Sequence, residues 1–178
     1  MRSLIRAGAC DAWGERRALL WKLGDLDLRP DGLPLTQPPT ADGLPPLPQL
    51  PPPEQAAWEY ELMGASPAGQ IMRHHRAGLR VRGTLTCAEV KRTKAGRRVK
   101  CAGFVVVRQR PPTAKGILFL SLEDESGLLD VVVKPPVYEA LRDVLRGHAL
   151  ILVEGVVQRS GRAASLLLLG AEPLAANK

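Results

Sequence analysis

Positive charge is the chemistry this sequence concentrates. Between Arg73 and Lys115 stand 13 Lys or Arg residues against one acid, Glu89, a local balance of +12. The whole chain of 178 residues carries +7, so the remainder is mildly acidic at −5. Within the block, KRTKAGRRVK (91–100) is almost purely cationic, and Arg108, Arg110 and Lys115 follow an apolar run. A dense basic block beside an acidic remainder predicts a polyanionic partner, and nucleic acid is the polyanion that fits. Aromatic residues make up only 4% of the chain, which argues against a many-ringed grip. Binding is therefore expected to be modest and steeply dependent on salt.

Other chemistries are sparsely represented. His74 and His75 are adjacent, so a helix points them about 100° apart, and no Cys, Asp or Glu stands at i+3 or i+4 to complete a metal site. Glu123, Asp124 and Glu125 precede Ser126-Gly127, and adjacent strand residues diverge, so a solvated turn is expected there instead of a cation site. Cys10, Cys87 and Cys101 are too few and too scattered for a metal knuckle or a disulfide framework and read as reduced thiols. G-x-S-x-G, H-E-x-x-H and phosphate-loop signatures are absent, and RTKAGRR lacks the glycine–lysine frame of such a loop. The expectation is a chain with no catalytic residue, no metal, no cofactor and no small-molecule substrate. Charges interrupt the first residues too often for a signal peptide, and no run approaches the roughly 18 apolar residues of a membrane span. A cytoplasmic protein without a membrane partner is expected.

The elements that must position the cations follow from periodicity. RRVKCAGFVVVRQR, GILFLSLEDESG, LLDVVVKP, ALILVEGVVQR and AASLLLLGAEPL are β-branched or leucine-rich runs bounded by Gly and Pro. Between the third and fourth lies PVYEALRDVLRG, whose Val137, Leu141, Val144 and Leu145 recur at helical spacing behind a Pro start and before Gly147. That order predicts a mainly β fold: a five-stranded Greek-key OB barrel with one helix between strands 3 and 4. Alternation sorts the first strand into an inward face of Val99, Cys101, Gly103, Val105 and Val107, and an outward face of Arg98, Lys100, Phe104, Arg108 and Arg110. In the second strand Leu118, Leu120 and Leu122 form the core set, which leaves Phe119 exposed as a stacking platform.

Upstream, residues 1–28 are expected to form a small helical piece. A short helix breaks near Gly8 and a second starts at Glu15, with Leu19, Leu20 and Leu23 on one face. Its Gly-bearing turn could be a helix-hairpin-helix remnant, although packing of Trp13 and Trp21 is the stronger expectation. Residues 29–53 form a Pro-rich linker, with Pro at 10 of the 24 positions from 30 to 53, which cannot be helical. Residues 54–83 are expected to be a helical connector of two short helices, and 84–178 the barrel domain, with TLTCAE (84–89) as its lead-in.

The continuous string VRQRPPTAKGILFLSLEDESG and the strand VEGVVQR resemble the OB-fold region near the C-terminus of bacterial error-prone DNA polymerases, in the family of the DNA polymerase III alpha subunit. LIRAGACDAWGERRALLW is similar to the end of that family's helix-hairpin-helix region, and YELMGASP to the segment joining it to the OB domain. The carboxylates that hold two metal ions for polymerisation and the phosphoesterase-like domain of that family lie outside these residues. The resemblance implies a role in replication and repair, with single-stranded DNA as ligand and a DNA polymerase or damage-tolerance protein as a further partner. It places template contacts at Arg98, Lys100, Arg108, Arg110, Lys115 and Phe119. With Arg97, Phe104 and Lys134 these make the candidate nucleic-acid-binding set. Two other readings stand beside it: a module that docks onto a polymerase partner, and an RNA-binding barrel, since FLSLEDESG also resembles the anticodon-binding barrels of class II aminoacyl-tRNA synthetases.

Overall fold

The computed structural model describes residues 1–25, 46–161 and 163–174. They fall into two compact units, Met1–Gly69 and Gln70–Lys178. Most of the expected Pro-rich linker, up to residue 45, lies outside the described residues.

The first unit holds α1 (Arg2–Arg6), α2 (Arg16–Asp25) and α3 (Pro52–Met63). Its centre is polar. Arg16 is buried and grips Asp11 through Nε–Oδ1 (2.8 Å) and Nη2–Oδ2 (2.7 Å), reaches Glu59 Oε1 at 2.6 Å, and donates Nη1 to the Arg6 carbonyl. Hydrogen bonding to Asp11 raises the already high Arg16 pKa. The packing expected of the two tryptophans does not occur: Trp13 is 77% exposed and Trp21 48%, because the short helices bury Ile5, Cys10 and Ala56 instead. Helix α3 starts two residues earlier than the Glu54 boundary, since Pro is favoured in a first turn where N–H groups have no partner anyway.

The second unit opens with α4 (Met72–Val81) and α5 (Cys87–Arg92). The lead-in expected at 84–89 runs into helix α5. Thr86 accepts from the Glu89 N–H, and the Glu89 carboxylate accepts from the Thr86 N–H, a closed capping box. Bidentate pairing with Arg80 and the Thr86 backbone bond hold the Glu89 carboxyl at about 2. Then come β1 (Arg98–Gln109), β2 (Leu118–Asp124), β3 (Gly127–Val133), α6 (Pro135–Gly147), β4 (Leu150–Ser160) and β5 (Ala163–Pro173). The strands close into a barrel in the order β1-β2-β3-β5-β4, with β3 and β5 parallel and the other pairs antiparallel. This is the five-stranded OB barrel, with α6 between β3 and β4.

Alternating leucines and valines fill the barrel: Leu118, Leu120 and Leu122 of β2, Leu129, Val131 and Val133 of β3, and Leu166 and Leu168 of β5. Each such side chain contributes about 1.5–3 kcal/mol by leaving water. Cys87 and Val90 of α5, and Tyr138 and Leu145 of α6, join the same core. Cys87 and Cys101, distant in sequence, meet in it with their sulfurs 3.9 Å apart, and hydrogen bonding and burial push the Cys87 thiol up. No helix among the described residues is long and apolar enough to cross a membrane.

Gly155 lets β4 and β5 approach at the point where their register shifts. A Cβ there would lie 2.4 Å from the Leu167 carbonyl oxygen and 2.8 Å from Leu166 Cγ. Gly155→Ala is expected to destabilise the barrel by about 1–3 kcal/mol, since backbone must move to admit the methyl group. The midpoint of urea unfolding checks it; an unchanged midpoint would refute the close approach.

Candidate nucleic-acid interface

A β-bulge decides which way the first strand's cations point. Val105 lies opposite Leu122, Val107 opposite Ser121 and Arg108 opposite Leu120, so Val106 is an extra residue. The insertion reverses the alternation expected beyond Val105. Val107 turns outward and Arg108 turns to the face shared with Leu120, at the end of the barrel. There Arg108 donates Nε to the Leu145 carbonyl (2.8 Å) and Nη2 to the His148 carbonyl (2.6 Å), satisfying acceptors at the end of α6. Burial lowers its pKa. Arg108 is thus engaged by the fold.

The remaining candidates fall into two groups. Arg97, Arg98 and Lys100 lie at the start of β1 against β4. Arg98 Nε is 2.5 Å from Glu154 Oε1, and Lys100, in register with Glu154, lines a depression of about 260 Å³ together with Arg82, Leu152 and Glu172. The outward face of β1 is therefore neither continuous nor free of acids. Its middle is covered as well: α4 packs on β1, and Ala102 and Leu152, outward on β1 and β4, are buried along with Met72 and Leu79 of α4. Phe104, on that face, is half-buried and in register with Glu123 and Leu150.

The second group surrounds an open part of the sheet. Phe119 is 38% exposed, with Gln109 opposite on β1 and Val132 opposite on β3. Next along the same face come Val107, Ser121 and Asp130, with Ser121 Oγ donating to Asp130 Oδ1 at 3.0 Å. Arg110, Lys115 and Lys134 lie where strands enter or leave the sheet beyond the Phe119 row, and the bulge inverts the outward placement expected of Arg110 as it does that of Arg108. Arg110 follows Gln109, and its guanidinium sits 4.9 Å over the Tyr138 ring. Lys134 follows β3 as the N-cap residue of α6. Lys115 sits in the β1–β2 loop with φ 48° and ψ 39°, a left-handed conformation that side chains other than Gly and Asn seldom adopt. Gln109 was missed by sequence reasoning, since the bulge that turns it outward leaves no mark in the apolar run.

Within the basic block, cross-chain pairing neutralises much of the charge. Arg76 meets Asp124 (2.9 Å) and Glu125 (2.5 Å), Arg80 meets Glu89 (2.8 Å), and Arg82 meets Glu172. The expected solvated turn at 123–125 is corrected at its middle residue: Asp124 is 2% exposed and accepts from Arg76, from the Cys87 N–H, and from the Ser126 N–H and hydroxyl.

The closed five-stranded barrel with its inserted helix is an OB fold, and residues 99–174 match the family described as OB-fold nucleic acid binding domain. The particular proteins to which the chain is related are error-prone DNA polymerases, in agreement with the resemblance seen in its sequence. It is 39% identical over 170 residues to the error-prone DNA polymerase of Bradyrhizobium sp. (strain ORS 278), and 39% identical over 168 residues to that of Brucella abortus biovar 1 (strain 9-941). Each match covers 89% of this chain but only 14% and 16% of the respective polymerase, so the chain spans about one seventh of those relatives. Among solved structures, asparaginyl-tRNA synthetase from Pyrococcus horikoshii aligns over 53% of this chain and 23% of that one, with a TM-score of 0.44 and 27% identity.

Proposed function

We propose that this chain is a non-catalytic element that holds single-stranded DNA on the β1–β2–β3 face of its barrel, in the service of error-prone synthesis during replication and repair. The observation that carries this reading is the exposed Phe119 on the sheet face, with the cations Arg110, Lys115 and Lys134 at the strand ends beyond its row. A base stacks on the ring and the cations receive the phosphates, which demands no particular sequence. Lys115 supports the reading, because glycine would occupy its left-handed position without strain and a lysine adds only its charge. The similarity to error-prone polymerases supports this setting, with a polymerase or damage-tolerance protein as the proposed partner.

The test is fluorescence anisotropy of a labelled 20-nucleotide single strand. Phe119→Ala is expected to weaken binding by about 5- to 150-fold, the loss of one stacked base at roughly 1–3 kcal/mol. Circular dichroism should be unchanged, since the ring lies outside the core. Tighter binding of RNA of the same length would move the ligand from DNA to RNA. No binding by wild type at low salt would overturn the reading in favour of protein docking, for which Val106, Val107, Phe119, Leu128 and Leu169 offer exposed apolar surface.

A further inference from the structure

The cationic run 91–100 is not absorbed by the sheet-face site, and the fold gives part of it a fixed partner. Arg159, near the end of β4, donates Nη2 to the carbonyls of Lys91 (2.5 Å) and Thr93 (3.2 Å). The Gly96 N–H donates to the Val157 carbonyl, and the Val157 N–H to the Arg97 carbonyl, both at 2.9 Å. These bonds clamp the α5–β1 turn onto β4 through backbone atoms and the Arg159 guanidinium. The side chains of Lys91, Arg92, Lys94, Arg97 and Arg159 are left exposed. None of these five forms an ion pair among the described residues, whereas Arg76, Arg80, Arg82 and Arg98 all do. The dipole of α5 accounts for cations in its last turn, at Lys91 and Arg92. It does not account for Lys94 and Arg97, whose charges stand uncompensated at the surface of the free protein.

We infer that this clamped turn forms a second contact for the phosphate backbone of the same nucleic-acid strand after it leaves the sheet face. The inference rests on the sheet-face reading above. The strand order supplies the route. Arg97 bonds to Val157, Val157 lies opposite Leu166, Leu166 opposite Val131, and Val131 opposite Leu120, the neighbour of Phe119. Four inter-strand steps separate the two sites, about 19 Å around the barrel. The five residues include no ring, so this contact takes phosphates and leaves the bases unread. A short strand fits the sheet face alone, and a longer one reaches both.

Two labelled oligothymidylates, of 6 and 16 nucleotides, separate the cases, bracketed by the roughly 4–16 nucleotides that an OB fold covers. Wild type and Lys91→Glu/Lys94→Glu are titrated with each across a salt series. The variant should bind the 6-mer as wild type does. With the 16-mer, the slope of log affinity against log salt should fall by about 1.4, two phosphate contacts at about 0.7 each on a single strand. An unchanged slope with the 16-mer, or equal losses at both lengths, overturns the inference. A 6-mer bound equally by wild type and Phe119→Ala removes the sheet-face reading instead, and the 16-mer slope still decides the second contact. Backbone atoms hold the turn, so the variant is expected to fold, and its circular dichroism verifies that.

Discussion

Asp124→Ala should destabilise the second unit by about 3–5 kcal/mol, the range for breaking a buried ion pair by removing one partner. Asp124 ties three elements together. Its Oδ2 accepts from Arg76 Nη2 of α4 and from the Cys87 N–H at the start of α5, both at 2.9 Å. Its Oδ1 accepts from the N–H (2.8 Å) and hydroxyl (2.6 Å) of Ser126, closing the β2–β3 turn. The side chain is fully buried and that of Arg76 only 16% exposed, so water cannot replace the lost carboxylate efficiently. Arg76 already holds one buried nitrogen, Nη1, without a partner among the described residues, and Glu125 alone would remain to hold the guanidinium. Asp124→Asn should cost less, because its amide oxygen can still accept from one set of N–H donors while the charge opposing Arg76 is gone. Urea unfolding reads both variants as shifts of the midpoint at constant slope. A loss below about 1 kcal/mol for the alanine variant would show that the carboxylate is spectator to the fold.

The same residue shows what the sequence could reveal. Local patterns were legible: Leu118, Leu120 and Leu122 announce one face of β2, and Val137, Leu141, Val144 and Leu145 announce α6, because both periods are written within one element. The strand order then predicted the barrel. Asp124 looked like part of an acidic surface turn because its partners are 48 and 37 residues away. Arg98 looked free because Glu154 is 56 residues on. A cation's availability depends on what the fold sets across from it, and a charge count cannot register that. The bulge at Val106 is a different obstacle. A run of three valines carries no signal of where an extra residue enters, and every face assignment beyond it inverts. Helix α5 is different again, since Thr86 and Glu89 stand at capping-box spacing and could have been recognised.

Arg108 is unsuited to a charge-reversal test of binding: a glutamate there would face the Leu145 and His148 carbonyls and damage the end of α6, so a loss of binding would report folding. Arg110, Lys115 and Lys134 lie at the strand ends beyond Phe119 and pair with no acid among the described residues. Reversing all three to Glu should weaken binding of a 20-nucleotide single strand by roughly 100-fold or more at low salt, and lower the salt slope by about 2, three contacts at about 0.7 each. Net charge alone must be separated from position, because the change takes the chain from +7 to +1. The control reverses the exposed Arg2, Arg73 and Arg142, which gives the same total charge at residues outside the candidate set. If position matters, the control keeps most of its affinity and slope while the triple variant loses both. Equal losses in the two variants would mean that the strand feels only the overall field of a basic protein. Lost affinity at an unchanged slope would mean that the three side chains act on something other than phosphates.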